Sequence, residues 1–576
     1  MEFDAGFTLI IFISTIGLLI FSNKNTSLIF SMATLVLLVS EQLSLSDVFH
    51  NLANPGLITL VLLLLISVAI DKTGFIKSIG RSLVTANYRQ SLSRLLSVSF
   101  FSSALLNNTA IVASLTGPVK QNQHHAASRL LLPLSYAAIL GGTVTLIGTS
   151  TNLIVDSFLV ENGHQGFAFW DFTLYGLTAG FACCLVLFLT APLLPKIELS
   201  TEQFQHYTIE AKVGWGSSLI GKSIEENHLR NLPELFLVEI VRGKQLVSPV
   251  TPDIIIEKDD KLIFSGNIKR MDSLSHIDGL TLFADREKGL QRENLTEVIV
   301  SNRAMLIGKT LKRVGFRALF DAAVVAIRRD GENLSGKLGE IKLRAGDFLL
   351  LATGPDFNNR HNLKNNFFMV SEVNIQTKLS SKQEWITIGG FLTAIAAAAT
   401  QMISLPIALL CLLSILVFSG VISGTEIKRS VPINLIAIIV GAMSLAIAIE
   451  KSGLIDLFTG LLGPIINSGS PFIALIAVYV VTLLLTEMVT NNAAAALMFP
   501  FAYGITESLN VPIMPFALAV AFAASASFIS PYGYQTNLLV FSAGNYRFAD
   551  FIKAGIPISI LYSTIVLLLL KWNFGF

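Results

Sequence analysis

Two asparagine pairs interrupt apolar stretches of this 576-residue chain. The first group, Asn107–Thr109, reads Asn-Asn-Thr, and the second, Thr490–Asn492, reads Thr-Asn-Asn. Amide and hydroxyl oxygens can coordinate a cation, and the same groups can donate hydrogen bonds to an anion. A single asparagine in an apolar segment usually only links neighbouring helices. Two matched groups, each followed by a short apolar arm and a proline, indicate a buried binding site instead.

The stretches around these groups lack cationic side chains. Residues 95–119, 130–160 and 487–546 contain no Lys or Arg. A bound dianion would therefore meet hydroxyls, amides and the N–H groups at the ends of broken helices, which attract anions. Residues that favour such breaks lie nearby, at Gly141, Gly142, Gly148, Pro531 and Gly533. Because carbonyl and Asn oxygens freed by the breaks suit Na⁺, the pattern predicts cation-coupled anion uptake.

Composition places these stretches in a membrane. Hydrophobic residues make up 52% of the chain and charged residues 14%, whereas a soluble domain carries about 25% charge. Residues 197–384 hold 51 of the 80 charged residues, so two apolar blocks flank one polar insert. The net charge of +2 gives no sign of nucleic-acid binding. The three cysteines show no disulfide or metal-ligand spacing.

The apolar blocks contain ten stretches long enough to be transmembrane elements. They lie near residues 6–22, 26–40, 55–71, 130–155 and 172–195, and 385–402, 405–420, 432–450, 513–541 and 555–573. Lys and Arg cluster in residues 71–94 and 120–129, which predicts that these loops are cytoplasmic. Residues 156–171 carry acids only and can face outward. This orientation puts the insert in the cytoplasm and gives the two blocks opposite topology.

The two blocks also share an internal repeat. Three short strings recur in the same order at offsets of 379, about 383 and 385 residues. The pairs are Ala69–Gly74 with Ala448–Gly453, Asn107–Ala110 with Thr490–Ala493, and Thr151–Val155 with Thr536–Val540. With an odd number of crossings before the insert, the repeat is inverted. Inverted repeats with interrupted helices are typical of secondary transporters.

The segment Gly141–Val155 and the two asparagine groups resemble motifs of the divalent anion:sodium symporter family. The resemblance covers both apolar blocks. It implies a polytopic α-helical membrane protein with an inverted repeat and two re-entrant hairpins, working by an elevator mechanism and usually as a homodimer. The family's substrates are sulfate and di- or tricarboxylates, and its coupling ion is Na⁺.

The resemblance also implies which residues form the site. The hairpin tips and the two unwound loops supply the ligands. For the anion they are Asn108, Thr109, Thr149, Ser150, Asn491, Asn492, Tyr534 and Gln535. For sodium they are Asn107, Asn108, Gly148, Thr490, Asn491 and Gly533. The family's tip signature is Ser-Asn-Thr, so Asn107, Thr490 and Asn492 depart from it, and hydroxyls and amides replace the usual Pro-Pro-Asn at Ser150–Asn152. These departures favour sulfate over a carboxylate.

Three charged positions in the apolar blocks need separate interpretation. Glu487 precedes the second asparagine group, and it is a candidate cation ligand or proton carrier, or else a structural acid. Lys72 and Lys451 end their apolar stretches, next to Asp71 and Glu450. Snorkelling or local pairing is the expected role of both lysines.

The polar insert is itself duplicated. The string Leu219–Ile224 recurs as Leu306–Leu311, 87 residues later, and each copy continues into β-rich sequence. Two α+β domains are predicted, at 197–288 and 289–384, between membrane repeats at 1–196 and 385–576. They resemble TrkA-C (RCK-C) domains, which dimerise and in some cases bind a regulatory nucleotide. The string Gly216–Ser223 matches the P-loop pattern, but a domain of about 80 residues is too small for that fold.

The sequence therefore predicts a multi-pass transporter of the inner (plasma) membrane, and not an enzyme. Its leading substrate is sulfate taken up with sodium. A sodium-coupled di- or tricarboxylate transporter is the first alternative. A cation channel or transporter gated by the cytosolic domains is less favoured, because no Thr-Val-Gly-Tyr-Gly filter is present.

Overall fold

The computed structural model shows two compact units. The first comprises Met1–Pro195, Gln376–Val540 and Phe548–Phe576, and the second comprises Lys196–Ile375 with Phe541–Arg547. The structure describes the chain apart from residues 1, 23–24, 74–82, 121, 123, 198–207, 228, 230–234, 244, 248–249, 267–279, 284–294, 302–303, 330–331, 335–337, 354–355, 358–359, 361, 370–378 and 455–469. The predicted boundary between the two insert domains, at 288/289, lies outside the described residues. The other predicted boundaries stay predictions.

The first unit is built from helices in two series. The first series is α1 (Glu2–Phe21), α2 (Thr26–Val39), α3 (Leu45–Leu52), α4 (Pro55–Lys72), α5 (Tyr88–Ser103), α6 (Asn108–Lys120), α7 (Ser128–Gly142), α8 (Ser150–Glu161) and α9 (Thr173–Thr190). The second is α13 (Ser381–Ala399), α14 (Leu405–Phe418), α15 (Gly424–Ser430), α16 (Ile433–Lys451), α17 (Pro471–Met488), α18 (Asn491–Leu509), α19 (Ile513–Ser525), α20 (Gln535–Gly544) and α21 (Phe548–Phe574). The two series follow the same order of long, short and interrupted helices.

Four interruptions mark the elements that the sequence predicts to be broken. Helices α5 and α6 are separated at residues 104–107, and α17 and α18 at 489–490, so each asparagine group stands at the turn of a helical hairpin. Helices α7 and α8 are separated by the non-helical segment 143–149, and α19 and α20 by 526–534. We call these two segments the first and second unwound segments. The predicted hairpins and unwound loops therefore have matching helix breaks.

Six helices of the described residues are long and apolar enough to cross a membrane: α1, α4, α9 with its extension to Leu193, α16, α17 and α21. Helices α2, α14 and α19 are apolar but shorter. Large apolar side chains such as Ile10 and Phe418 lie on the outer surface, with 64% and 92% exposure. Such surface is stable only against lipid or another protein. The prediction of a polytopic helical membrane protein agrees with these features.

The two helices that precede the unwound segments form the centre of this unit. Every residue of α7 except Arg129 is buried, and all but Met514 of α19 are buried. A helix that is apolar all round is covered either by protein or by lipid, and the burial of these two shows that protein covers them. Helix α7 packs against α5, α6 and α9, and α19 packs against α17 and α18. The hairpins are thus held against the broken helices, which places their tips beside the unwound segments.

The second unit contains two five-stranded antiparallel sheets with the same strand plan. The first sheet has the order β3-β2-β4-β1-β5 and the second β10-β6-β9-β7-β8. The strands are β1 (Thr208–Val213), β2 (Leu235–Arg242), β3 (Gln245–Val247), β4 (Lys261–Gly266), β5 (Leu280–Phe283), β6 (Leu295–Val300), β7 (Ala322–Arg329), β8 (Glu332–Asn333), β9 (Phe348–Thr353) and β10 (Phe367–Met369). Three short helices, α10 (Leu311–Val314), α11 (Phe316–Phe320) and α12 (Leu363–Asn366), accompany the second sheet.

The duplicated strings of the insert occupy equivalent places in the two sheets. Gly221 and Gly308 both have positive φ, at 79° and 75°, and each ends a turn. Two residues further along each copy there is an isolated β-bridge. Ser223 forms one with Ile255, and Thr310 forms one with Lys342. A turn that leads into a β-bridge is not the strand–loop–helix of a nucleotide-binding P-loop. The structure therefore supports reading the P-loop match as part of the repeat.

Lys72 and Lys451 form long-range ion pairs, which corrects the expectation of local pairing. The Lys72 ammonium lies 2.6 Å from a Glu426 oxygen and donates to the Val421 carbonyl at 2.7 Å. The Lys451 ammonium lies 2.7 Å from Asp47. Each acid is the third residue of a capping box, on α15 and α3 respectively. Each repeat thus supplies the lysine for one pair and the capped acid for the other, so the two pairs follow the repeat.

These contacts lower the pKa of both acids. Burial alone would raise the pKa of Glu426, but hydrogen bonds from Lys72 and Ser423 outweigh it and lower the pKa to about 2. The hydrogen bond from Lys451 lowers the pKa of Asp47 to about 2, against the effect of burial. A folded-state pKa below the usual value means that each pair stabilises the protein above pH ~4 and loses that contribution as the pH falls through about 2.

Removing the lysine of the more buried pair should destabilise the protein more. Lys72 is 14% exposed and Lys451 is 51% exposed. We expect Lys72→Met to lower the free energy of unfolding by about 1–3 kcal/mol, because it removes the largely buried ammonium together with its pair with Glu426 and its bond to the Val421 carbonyl. Lys451→Met is the matched control and should cost at most about 1 kcal/mol. Thermal unfolding of the purified variants at neutral pH measures both. An equal loss in the two variants would contradict this ranking.

Candidate functional site

The Tyr534 hydroxyl joins four broken elements at one point. Asn108, at the tip of the first hairpin, donates to this oxygen from its side-chain nitrogen at 2.9 Å. The Thr149 hydroxyl, at the end of the first unwound segment, lies 3.0 Å away. Asn491, at the tip of the second hairpin, lies beside it. Tyr534 itself ends the second unwound segment and is 6% exposed. Both repeats therefore meet in a buried group of amides and hydroxyls.

The first tip is positioned by its own turn and by a glycine. The Ser103 hydroxyl donates to the Asn108 amide oxygen at 2.6 Å, and the backbone N–H of Thr109 donates to the Asn107 amide oxygen at 2.9 Å. A Cβ atom at Gly142 would overlap the Asn108 amide. Only glycine at this position lets the hairpin tip approach the end of α7 so closely. Gly142, the second residue of the Gly-Gly pair, is thus required for the position of Asn108.

The second tip crosses to the first repeat. The Ser150 hydroxyl, at the start of α8, donates to the Asn492 amide oxygen at 2.7 Å. Thr490 is the N-cap of α18, and its buried hydroxyl oxygen has no hydrogen-bond partner among the described residues. A buried hydroxyl without a partner is costly unless a ligand or water completes it. Thr490 therefore has a hydroxyl oxygen available to bind a ligand, and its role as a ligand stays a prediction.

Two asparagines fasten the unwound segments in equivalent ways. Asn152 donates to the Thr145 carbonyl at 2.9 Å, and Asn537 donates to the Ser527 carbonyl at 2.7 Å. Each amide replaces a backbone bond that the helix break removes. The second asparagine also accepts from the Ser135 hydroxyl at 2.7 Å. The sequence repeat contains both asparagines, but the predicted set of site residues omitted them.

The hydroxyls behind the tips also bridge the repeats. Thr151 and Ser525 approach to 2.6 Å, which joins the start of α8 to the end of α19. The Tyr136 hydroxyl donates to the Phe528 carbonyl at 2.6 Å, so α7 supports the second unwound segment. Sequence reasoning had no signal for these contacts, because serine and tyrosine at these positions match no motif. They make the two unwound segments mutually dependent.

Glu487 is the acid nearest in sequence to the second tip. Its carboxylate accepts hydrogen bonds from the backbone N–H groups of Phe528, Ile529 and Ser530 at 3.0, 2.9 and 2.6 Å. Of the roles expected from the sequence, the structural acid fits this geometry best. The group it holds is the second unwound segment. Within the part of the chain that the structure describes, no cluster of three or more His, Cys, Asp or Glu could hold a metal.

A cleft lies beside the first hairpin tip. It encloses about 440 Å³, part of it open solvent, and Asn107, Gly148 and Ser150 contribute its polar rim. Apart from Ser67, the rest of the lining is apolar, and α4 contributes much of it, with Leu60 and Ile70 as examples. A small polar solute could reach the tip from this cleft without meeting a charged side chain in its lining.

The predicted site residues fall into four groups in the structure. Asn108, Thr149, Asn491 and Tyr534 meet directly, and Ser150 and Asn492 form a second contact. Asn107, Gly148, Thr490 and Gly533 lie at the tips or in the unwound segments. Thr109 follows the first tip with its N–H capped, and Gln535 begins α20 after the second unwound segment. The geometry supports the predicted site, and the ligand that each residue binds stays a prediction.

Comparison with known proteins identifies the family of this chain. A family model described as citrate transporter matches residues 16–509. The chain belongs to the citrate transporter family. Membership indicates a transporter and not an enzyme. It also confirms, at the level of the family, the resemblance to divalent anion:sodium symporters, while the TrkA-C likeness of the insert stays a prediction.

Three relatives of this transporter illustrate the range of similarity. An uncharacterised transporter of Synechocystis is 29% identical over 94% of this chain and 93% of its own length. A putative sulfur deprivation response regulator of Chlamydomonas reinhardtii is 29% identical over 92% of this chain and 95% of its own length. Sodium/sulfate cotransporter 1 of the same alga is 28% identical over 62% of this chain and 42% of its own length.

The hydroxyl of Tyr534 can be removed without removing its ring. We expect Tyr534→Phe to reduce transport at least roughly tenfold, because it removes the hydroxyl that joins Asn108 to Thr149 and leaves the buried Asn108 side-chain nitrogen without that partner. Substrate uptake by reconstituted protein measures the loss. Tyr503→Phe is the matched control, since that ring stacks on Phe499 beyond the tip. Unchanged uptake in the Tyr534 variant would show that the four-element contact is not part of the site.

Proposed function

We propose that this transporter moves a divalent anion across the membrane together with sodium, and that its substrate is sulfate. The observation that carries the proposal is the meeting of Asn108, Thr149, Asn491 and Tyr534 at the hairpin tips. This centre offers both donors and acceptors in a buried setting and carries no cationic side chain. An anion bound there would need a cation beside it, because the centre offers it no fixed positive charge.

Sulfate fits the chemistry of this centre. It is small, keeps its charge at all physiological pH values, and accepts hydrogen bonds from any direction. The donors available are neutral amides, hydroxyls and backbone N–H groups at the start of α8, which suit such an anion. The algal relative named as a sodium/sulfate cotransporter matches part of this chain and supports the same substrate. Sodium would use the oxygen atoms of the tips, including the unpaired Thr490 hydroxyl.

The proposed movement is of the elevator type. The hairpins and broken helices would carry the anion and sodium as one body, and the remaining helices would form a fixed scaffold in a homodimer. The insert would be cytoplasmic, and its two sheets would be TrkA-C-like domains that join protomers or respond to a regulatory nucleotide. These statements rest on the family resemblance, on the positive-inside rule and on the duplicated sheets.

A di- or tricarboxylate is the second candidate substrate. The cleft beside the first tip favours it, because its largely apolar wall could lie against a carbon skeleton. The description of the family model names citrate. Competition between the two classes of anion therefore separates the candidates.

Uptake by proteoliposomes tests the proposed function. We expect labelled sulfate to accumulate when an inward sodium gradient is imposed, and excess succinate to leave the rate unchanged. Choline in place of sodium should abolish accumulation. Inhibition by succinate would instead favour the carboxylate candidate, and uptake of neither anion would contradict both.

Substitutions at the tips locate the activity. Asn108→Ala and Asn491→Ala should each abolish transport while leaving expression and oligomeric state intact, because each removes an amide from the shared centre. Asn162→Ala is the matched control. That amide donates to the Phe158 carbonyl at the far end of α8, at 2.8 Å. Normal uptake in both tip variants would exclude the hairpins from the mechanism.

A further inference from the structure

Glu487 is held by four donors from the second unwound segment. Besides the three backbone N–H groups of Phe528, Ile529 and Ser530, the Ser527 hydroxyl donates to the same carboxylate at 3.3 Å. A carboxylate offers about four lone-pair positions. The acid therefore fills its acceptor capacity with one continuous stretch of chain. Such an arrangement favours the ionised form, since three of the four partners are backbone N–H groups that can only donate.

The four donors have a consequence for anion binding. Consecutive N–H groups freed by a helix break are the usual backbone site for an anion. In the second unwound segment Glu487 already occupies them. A substrate anion is thereby excluded from these groups and repelled by the carboxylate. The sequence match suggests that the two unwound segments would bind an anion alike. The occupied N–H groups of the second segment make it different.

The first repeat lacks the acid. At the offset of 383 residues that relates the two tips, the counterpart of Glu487 is Ala104. There the Thr145 hydroxyl donates to the Ala104 carbonyl, a neutral contact. The two halves of the site therefore share their asparagine tips and unwound segments but differ by one full negative charge.

We propose that Glu487 is a positioning residue that assigns the coupling cation to the second half of the site. This inference rests on the proposed function. The carboxylate fixes the backbone of residues 527–530 and gives the second half a negative charge, so a cation binds more tightly beside Thr490 and Gly533 than beside Asn107 and Gly148. The donors of the first half, near Thr149 and Ser150, then hold most of the anion.

Gly533 couples this segment to the arm that carries Glu487. A Cβ atom at Gly533 would overlap the Thr486 carbonyl and the Ser527 hydroxyl. Thr486 in turn donates to the Ala524 carbonyl at 2.6 Å. The acid, its hairpin arm and the unwound segment are therefore packed without space between them. A change in the charge of Glu487 acts on the geometry of this half directly.

Neutralising the acid without changing its size tests the proposal. In full-length protein reconstituted in liposomes, we expect Glu487→Gln to raise the sodium concentration for half-maximal uptake by roughly tenfold or more. The KM for sulfate at saturating sodium should change less than about threefold. Glu487→Asp keeps the charge and should recover part of the sodium affinity. Asp156→Asn is the matched control, because this buried acid of α8 accepts from the Phe167 N–H, away from the tips.

A second measurement guards against a merely structural effect. Sodium without any anion should raise the melting temperature of purified wild-type protein and of Glu487→Asp, and this rise should be lost in Glu487→Gln. Loss of sodium and sulfate affinity by the same factor would overturn the proposal, as would an unchanged sodium dependence. If Glu487→Gln does not fold, Glu487→Asp decides: sodium and sulfate affinities that fall by the same factor in that variant would overturn the proposal.

These outcomes are distinct from failure of the proposed function. Wild-type protein that takes up sulfate with no sodium dependence would overturn the proposed coupling ion and this inference together. Wild-type protein that depends on sodium, with a Glu487→Gln variant that depends on it equally, would overturn only the role of Glu487.

Discussion

The structure of the first unit depends on satisfying the backbone groups that broken helices expose. Four helical elements are interrupted in the middle of an apolar body, and water is not available there to replace the lost hydrogen bonds. The chain supplies the missing partners from side chains. Asn152 and Asn537 each bridge a break, and Glu487 takes three consecutive N–H groups. Without these partners each unpaired group would cost about 1–3 kcal/mol.

The same requirement produces the candidate site. Polar side chains that satisfy the breaks are drawn from both repeats, so the repeats are joined at Tyr534 and at the contact of Ser150 with Asn492. The result is a neutral, polar and buried centre between the hairpin tips. A centre of this kind does not favour an anion alone, because no positive side chain pairs its charge. It favours an anion and a cation that arrive together, which is the physical basis of coupling in this account.

Part of this arrangement was predictable from the sequence, because it depends on local patterns. The asparagine groups and glycines marked the helix breaks, and the duplicated Leu-Ile-Gly-Lys strings marked two equivalent sheets. The contacts between the repeats were not predictable. Tyr534 meets Thr149 across 385 residues of chain, and Lys72 reaches Glu426 across about as many. Such pairs depend on how the repeats pack, and a single sequence holds no signal for them. The sequence shows that Glu487 is an acid in an apolar stretch. It does not show the partners of this acid, because they are backbone groups, which have no sequence signature.

The most direct measurement of the central claim is a cryo-electron microscopy structure of the purified protein in sodium sulfate, compared with one in choline sulfate. The account predicts a tetrahedral anion within hydrogen-bonding distance of Asn108 and Asn491 in the sodium sample, and weak or no density there in the choline sample. Anion density at another place in the first unit, or equal density at the tips in both samples, would contradict a site in which anion and sodium bind together.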